Sequence, residues 1–254
     1  MEASSPQQMD FTLNKYSELL QALKSSGKEF TLRHDVDLKP ENSLATARME
    51  SQLGLQATYY FRAVPESWNE SIIKAIAALG HEIGYHYECL TTCNGNMELA
   101  WEDFRQNLHK LRELVPVSKI CMHGSPRSRW DSKDLWKKYD YRSQGIDYEP
   151  YLDTDYINAL YLTDTGRRWD GWKVSVRDKI PQWQEKWQEL GLVFHTTDDI
   201  INRLQSNSIP QHISTIHITT HPQRWTNSPI PWLKEFVMQN LKNIIKAIIV
   251  STHK

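Results

Sequence analysis

A chain of 254 residues with 39% hydrophobic and 24% charged residues has the apolar material for one packed domain, and this composition argues against wholesale disorder. A formal net charge of -1 gives the whole chain no electrostatic pull toward nucleic acid or anionic lipid.

The elements alternate from the start. Residues 1–28 read as a leader and a first helix, and 29–254 as one α/β domain. EFTLRHDVD (Glu29–Asp37) is a predicted strand ending in polar residues. PENSLATARMESQLG (Pro40–Gly54) is a predicted helix, with proline at its start and glycine at its end. QATYYFRAV is a second strand, and NESIIKAIAALG is a helix stopped by Gly80. HEIGYHYE is a third strand. NMELAWEDFRQNLHKLREL carries Leu99, Phe104, Leu108, Leu111 and Leu114 at helical spacing. SKICMHG is a fourth strand. INALYLTDTGRRWDGWKVSV reads as one or two strands around a polar loop, and GLVFHTTDDIINRLQ as a strand-like run feeding a helix. STIHITTHP is the last strand. The final helix, PWLKEFVMQNLKNIIKAIIV, sets Trp232, Phe236, Leu241, Ile244, Ile245 and Ile248 largely on one face, which predicts core packing. Such alternation implies a parallel sheet with crossover helices, open or closed into a barrel.

Other features bear on compartment. Three cysteines, Cys89, Cys93 and Cys121, are an odd number for a disulfide framework and point to a reducing, cytoplasmic setting. MEASSPQQMDF lacks the basic and apolar regions of a signal peptide. The longest apolar run, AIIV at Ala247–Val250, is too short for a membrane span.

Polar clusters collect where the predicted strands end: RHDVD, HYE, HGSP and THPQRW. In parallel α/β sheets the C-terminal strand ends are where sites gather. Asp35 and Asp37, two apart on an extended chain, can face one site, one as a metal ligand and the other as a base. His86 and Glu88 share a face. His81 shares the other with Ile83 and Tyr85 and reads as buried and structural. His123 stands just before Gly124. Asp37, His86 and His123 would supply three ligands and leave a position open, the catalytic pattern of zinc and similar ions. Glu88 is the alternative third ligand, or an acceptor that orients an imidazole. His221, after the last strand, suits a general acid for a leaving group.

At these residues the sequence resembles a known family. GHEIGYH (Gly80–His86) is similar to the second signature of the polysaccharide deacetylases, metal-dependent carbohydrate esterases related to chitooligosaccharide and peptidoglycan deacetylases. RHDVD resembles their paired-aspartate signature, and THP their late histidine signature. The resemblance runs in order from about Thr31 to His221. It implies a distorted (β/α) barrel of about seven parallel strands, a divalent metal (zinc first), and hydrolysis of an N- or O-acyl group, acetyl or formyl, on a sugar. It assigns Asp35 as base, Asp37 and His86 as metal ligands and His221 as the late catalytic histidine. Two departures stand out: Val36 separates the aspartates, and Leu90 occupies the place of the second metal histidine. The variant motifs resemble a subgroup associated with surface-polysaccharide and lipopolysaccharide biosynthesis. Arg33, Arg127, Arg167 and Arg168 are candidates for orienting a charged sugar, and Trp169 and Trp172 for stacking on one. The implied partner is an acylated sugar or glycan, with no nucleic acid and no membrane span. Two other readings remain open: a glycan-binding barrel that has lost catalysis, and a hydrolase of cyclic amides or ureides.

Overall fold

Six of the apolar runs between Glu29 and Thr220 become strands of one parallel sheet. The computed structural model describes residues 9–125, 128–170 and 179–252, with side chains as far as 244. In chain order the elements are α1 (Leu13–Ser25), β1 (Glu29–Val36), α2 (Pro40–Gln52), β2 (Thr58–Phe61), α3 (Glu70–Ala78), β3 (Glu82–Tyr87), α4 (Cys89–Thr92), α5 (Met97–Arg112), β4 (Lys119–Met122), α6 (Pro150–Asp153), β5 (Ala159–Thr163), α7 (Pro181–Glu189), α8 (Thr197–Gln205), β6 (Thr215–Thr220) and α9 (Pro229–Thr252). The strands lie in the order β4-β3-β2-β1-β6-β5, all parallel.

The sheet curls into a half-barrel with β4 and β5 as its edges. Tyr148 adds one parallel bridge to Lys119 on the outer edge of β4, where the Ile120 N–H donates to the Tyr148 carbonyl at 3.0 Å. The expected distorted (β/α) barrel is therefore observed. Among the described residues it has six strands and that bridge in place of seven strands. Helix starts follow their capping residues. Thr12, Asn69 and Asn96 each accept from a first-turn N–H, and Thr196 with Asp199 forms a capping box on α8.

Partners in adjacent parallel strands point the same way, so the register sorts the side chains into two faces. Arg33, Asp35, Thr58, Tyr60, Gly84, His86, Cys121 and Thr219 share one face. Leu32, Val36, Tyr59, Phe61, Ile83, Tyr85, Ile120 and Ile218 share the other and belong to the buried core. The first face is polar and carries the residues singled out for chemistry. At Gly84 an added Cβ would lie 2.3 and 2.4 Å from the Tyr60 ring carbons and 3.1 Å from the Lys119 carbonyl. Glycine here is what lets the buried Tyr60 ring cross β3.

One polar cluster sits on the apolar face. His34 Nε2 lies 2.7 Å from Glu50 Oε1, and its Nδ1 lies 2.7 Å from Thr220 Oγ1. The Tyr16 hydroxyl donates to Glu50 Oε1 at 2.5 Å and the Tyr59 hydroxyl to Oε2 at 2.6 Å. All are buried. His81 lies beside them: its Nδ1 accepts from the Ala57 N–H at 3.2 Å, so its Nε2–H donates to the Ala47 carbonyl at 2.8 Å. His81 is structural, as its position in the sequence implied.

Three expectations change, and a fourth falls outside what the structure describes. Leu99 on α5 is exposed and takes no part in the core. The run before α8 is not a strand: Leu192 and Phe194 are buried, but the residues carry no sheet pairing. The KVSV half of the fifth strand region lies outside the described residues. The largest change is at α9, where Phe236, Leu241 and Ile244 are exposed. Ile245 and Ile248 lie beyond the described side chains. This helix is seated by polar contacts instead. Asn243 donates to the Gly166 carbonyl at 2.8 Å, Arg167 to the Trp232 carbonyl at 3.3 Å, and Gln239 is buried beside Asn243.

Two stability predictions follow from these contacts. Gly84→Ala should lower the unfolding free energy by about 1–3 kcal/mol through overpacking against Tyr60, measured by denaturant titration. Burial opposes the Glu50 charge, but His34 and the two tyrosine hydroxyls hold its carboxyl below the ordinary value of 4.5. A lowered folded pKa gives stability that is complete above the unfolded value and lost as pH falls through the folded one. Glu50→Gln should thus cost about 1–3 kcal/mol at neutral pH. Its deficit relative to wild type should shrink in titrations at progressively more acid pH.

Candidate metal and catalytic site

The polar face of the sheet ends in a tight group of donors. Asp37 Oδ1 lies 3.6 Å from His86 Nε2 and 3.5 Å from His123 Nε2. All three donor atoms fall within 4.8 Å of one another. Ligand atoms around a tetrahedral ion with ~2.0–2.1 Å bonds stand about 3.3 Å apart. The set is therefore nearly closed around an ion-sized gap.

Each imidazole is oriented from behind. His86 Nδ1 is 2.9 Å from the Cys121 carbonyl, which can only accept, so Nδ1 carries the hydrogen and Nε2 presents a lone pair. His123 Nδ1 is 3.0 Å from Glu88 Oε2, with the same consequence. Such a carboxylate behind a ligating histidine fixes the ring and strengthens it as a ligand. Glu88 is thus placed behind His123.

The donor chemistry fits a divalent cation. Asp37 Oδ1 is a buried oxygen without a hydrogen-bond partner among the described residues. It faces two nitrogen lone pairs, an arrangement that repels itself unless a cation or protons lie between. The three other carboxylates of the site each have a guanidinium. Arg33 binds Asp35 bidentately at 2.8 and 2.6 Å, Arg62 binds Glu88 at 2.9 and 2.7 Å, and Arg224 binds Asp164 at 2.6 Å. Asp37 is the acid left over. A second set of donors, Asp35, His86 and Cys121, also lies within 4.8 Å. Arg33 already occupies Asp35, so the Asp37 set is the better cation site.

Two groups flank it. Asp35 Oδ2 lies 3.8 Å from His86 Nε2. Burial works against its charge, but Arg33 and then His86 bring its pKa down to about 2. On the other side His221 Nε2 lies 3.9 Å from Asp37 Oδ2, and its Nδ1 is 2.6 Å from Asp164 Oδ1. Burial and Arg224 oppose a charge on His221, yet Asp164 lifts its pKa above the ordinary value. Asp164 also receives the His221 backbone N–H at 3.0 Å and the Trp225 indole at 2.8 Å. Glu88 is held at about 2: burial would raise it, and His123 and Arg62 overcome that.

The other candidates fall elsewhere. Arg33 is a partner of Asp35 rather than a free substrate contact. Arg168 pairs with Asp170. Trp169 is buried against Phe11 and Trp225, with its indole N–H on Thr197 at 2.9 Å, so its ring has no face open for a sugar. Arg167 lies beneath α9, its guanidinium 4.2 Å from the Trp232 ring centroid. Arg127 and Trp172 lie outside the described residues. Sequence reasoning missed Arg62, Asp164 and Arg224. The first two follow directly on β2 and β5, the same strand-end position that marked the others.

No family model matches this chain, and no curated protein matches it. Solved structures do. A CE4 esterase of Streptococcus mutans is 12% identical, with a TM-score of 0.46 over 92% of this chain and 87% of its own. The polysaccharide deacetylase Bc1974 of Bacillus cereus is 12% identical, with a TM-score of 0.42 over 85% and 88%. BA3943 of Bacillus anthracis, a CE4 family pseudoenzyme, is 14% identical, with a TM-score of 0.45 over 85% and 61%. In structure the chain is similar to these proteins. At such identities and TM-scores the likeness decides nothing about activity, which rests on the geometry of the site.

Zinc titration by calorimetry, with elemental analysis, tests the ligand set. Asp37→Ala, His86→Ala and His123→Ala should each abolish stoichiometric binding. Glu88→Gln should keep the ion but weaken it about 10- to 100-fold, as the loss of a supporting carboxylate does.

Proposed function

We propose that this protein is a metal-dependent hydrolase that removes an N- or O-acyl group, acetyl or formyl, from a sugar. The observation that carries the reading is the unpartnered Asp37 oxygen facing two oriented imidazoles, with Asp35 and His221 on either side. Asp37, His86 and His123 would hold the ion, zinc by the N/O character of the set. When bound, such an ion supplies Lewis acidity toward an acyl carbonyl and an attacking water.

The chain's own residues do the rest. Asp35 is fixed by Arg33 as a carboxylate with a lone pair free on each oxygen. The low pKa makes it a weak base, suited to take a proton from a water whose acidity has already been raised. The Asp164 carboxylate accepts the His221 Nδ1–H and favours the imidazolium, whose second hydrogen sits on Nε2 toward the Asp37 side. From there His221 gives its proton to the departing amine or hydroxyl. The raised pKa keeps that proton in place until it is needed.

The sugar, in surface-polysaccharide or lipopolysaccharide biosynthesis, comes from the resemblance of GHEIGYH, RHDVD and THP. A glycan-binding barrel without catalysis has little use for a buried Asp35–Arg33 pair beside a buried His221–Asp164 pair.

The assay is release of acetate or formate from a panel of N- and O-acylated amino sugars, with a cyclic ureide as control and with chelator as a second arm. Activity should vanish with chelator and return with zinc. Asp35→Asn and His221→Ala should each lower kcat by about 10²- to 10⁴-fold while zinc stoichiometry holds. No release from any acylated sugar by zinc-loaded protein would sink the reading.

A further inference from the structure

α9 turns its polar side inward and its apolar side out. Gln239, 5% exposed, and Asn243 face the body, and Glu235 reaches Lys39 at 3.8 Å. Ile230, Leu233, Val237, Leu241 and Ile244 stand in solvent, from 48% exposed at Val237 to 82% at Ile230. Their spacing of three and four residues puts them on one stripe, which runs ~21 Å at 1.5 Å per residue. Phe236 and Met238 flank it, also exposed. A water-soluble surface does not carry such a contiguous stripe without something to cover it.

Charge and shape indicate the cover. Pro229–Lys254 holds four lysines against one glutamate, a net +3, which leaves -4 for the rest of a chain whose total is -1. Lys234 and Lys242 are both exposed. Two copies of this helix meeting along the stripe would bring like charges together. Lys234 stands at the very edge of the stripe, next to Leu241 around the helix, and Lys242 further round the same side. An apolar stripe edged by lysines is the pattern of a helix lying in a membrane interface, its apolar side sunk ~5–10 Å among the lipids. No helix among the described residues is long and apolar enough to cross a membrane.

We infer that α9 docks the protein on an anionic lipid surface, apolar stripe down. The helix also fixes how the protein would sit. It is pinned to Lys39, two residues past Asp37, and to Gly166, two residues past Asp164. The end of the barrel that carries the metal ligands is therefore the end beside the lipid.

Co-sedimentation of the full chain with vesicles tests this. Phosphatidylcholine vesicles containing phosphatidylglycerol are compared with phosphatidylcholine alone, at low and high salt, with light scattering on the protein by itself. Wild type should bind the anionic vesicles, less at high salt. Leu233→Glu/Leu241→Glu and Lys234→Glu/Lys242→Glu should each weaken binding at least ~10-fold with melting temperature unchanged, since all four side chains are exposed. Asp37→Ala should bind vesicles like wild type, which separates this inference from the proposed chemistry. Wild-type binding no stronger than that of Leu233→Glu/Leu241→Glu would overturn it. So would a dimer that the same double variant converts to monomer, for then a second copy covers the stripe.

Discussion

The site depends on one uncompensated charge. Asp35, Glu88 and Asp164 each lie against a guanidinium, and Asp37 does not. A buried carboxylate oxygen with no donor costs more than almost any other polar defect unless an ion or proton meets it. Two neutral imidazoles whose hydrogens are committed elsewhere, to the Cys121 carbonyl and to Glu88, cannot meet that need without taking up a second proton. The surroundings make Asp37, His86 and His123 a candidate cation site, since the neighbouring carboxylates are each met by an arginine.

The three arginine–carboxylate pairs also order the site. Each sits behind a working group rather than in front of it. Arg33 fixes the Asp35 carboxylate, Arg62 steadies the Glu88 that orients His123, and Arg224 shares the Asp164 that orients His221. The Arg33 fork, on both oxygens of Asp35, holds that planar carboxylate at a fixed angle, which lysine could not do as well. The arginines serve the geometry of the acids. Of those proposed at first as sugar contacts, Arg33 is consumed in this way, and Arg168 is paired with Asp170.

The sheet makes this possible by dividing its faces. Buried parallel strands are commonly apolar on both sides. Here one face packs against the helices, and the other carries arginine, aspartate, histidine and threonine toward the strand ends. The His34–Glu50 cluster is the exception on the apolar side. It is satisfied from four directions by Tyr16, Tyr59, His34 and Thr220, so its burial ties α1, α2, β1, β2 and β6 together.

What could be read from sequence alone was local. The i, i+2 alternation put Asp35 beside Asp37 and His86 beside Glu88, and strand-end position picked out His123 and His221. Capping residues and glycines bounded the helices. The strand–helix alternation gave the parallel barrel, because these signals lie within a few residues of one another. What only the tertiary structure decided was pairing across strands: which acid receives Arg33, Arg62 or Arg224, that Asp164 stands behind His221, and that Trp169 is buried. It also decided which face of α9 meets the body. Periodicity shows that a helix has an apolar side, but not whether the protein or something outside it lies against that side. Here Arg167, Gly166 and Lys39, distant in sequence, claimed the polar side first.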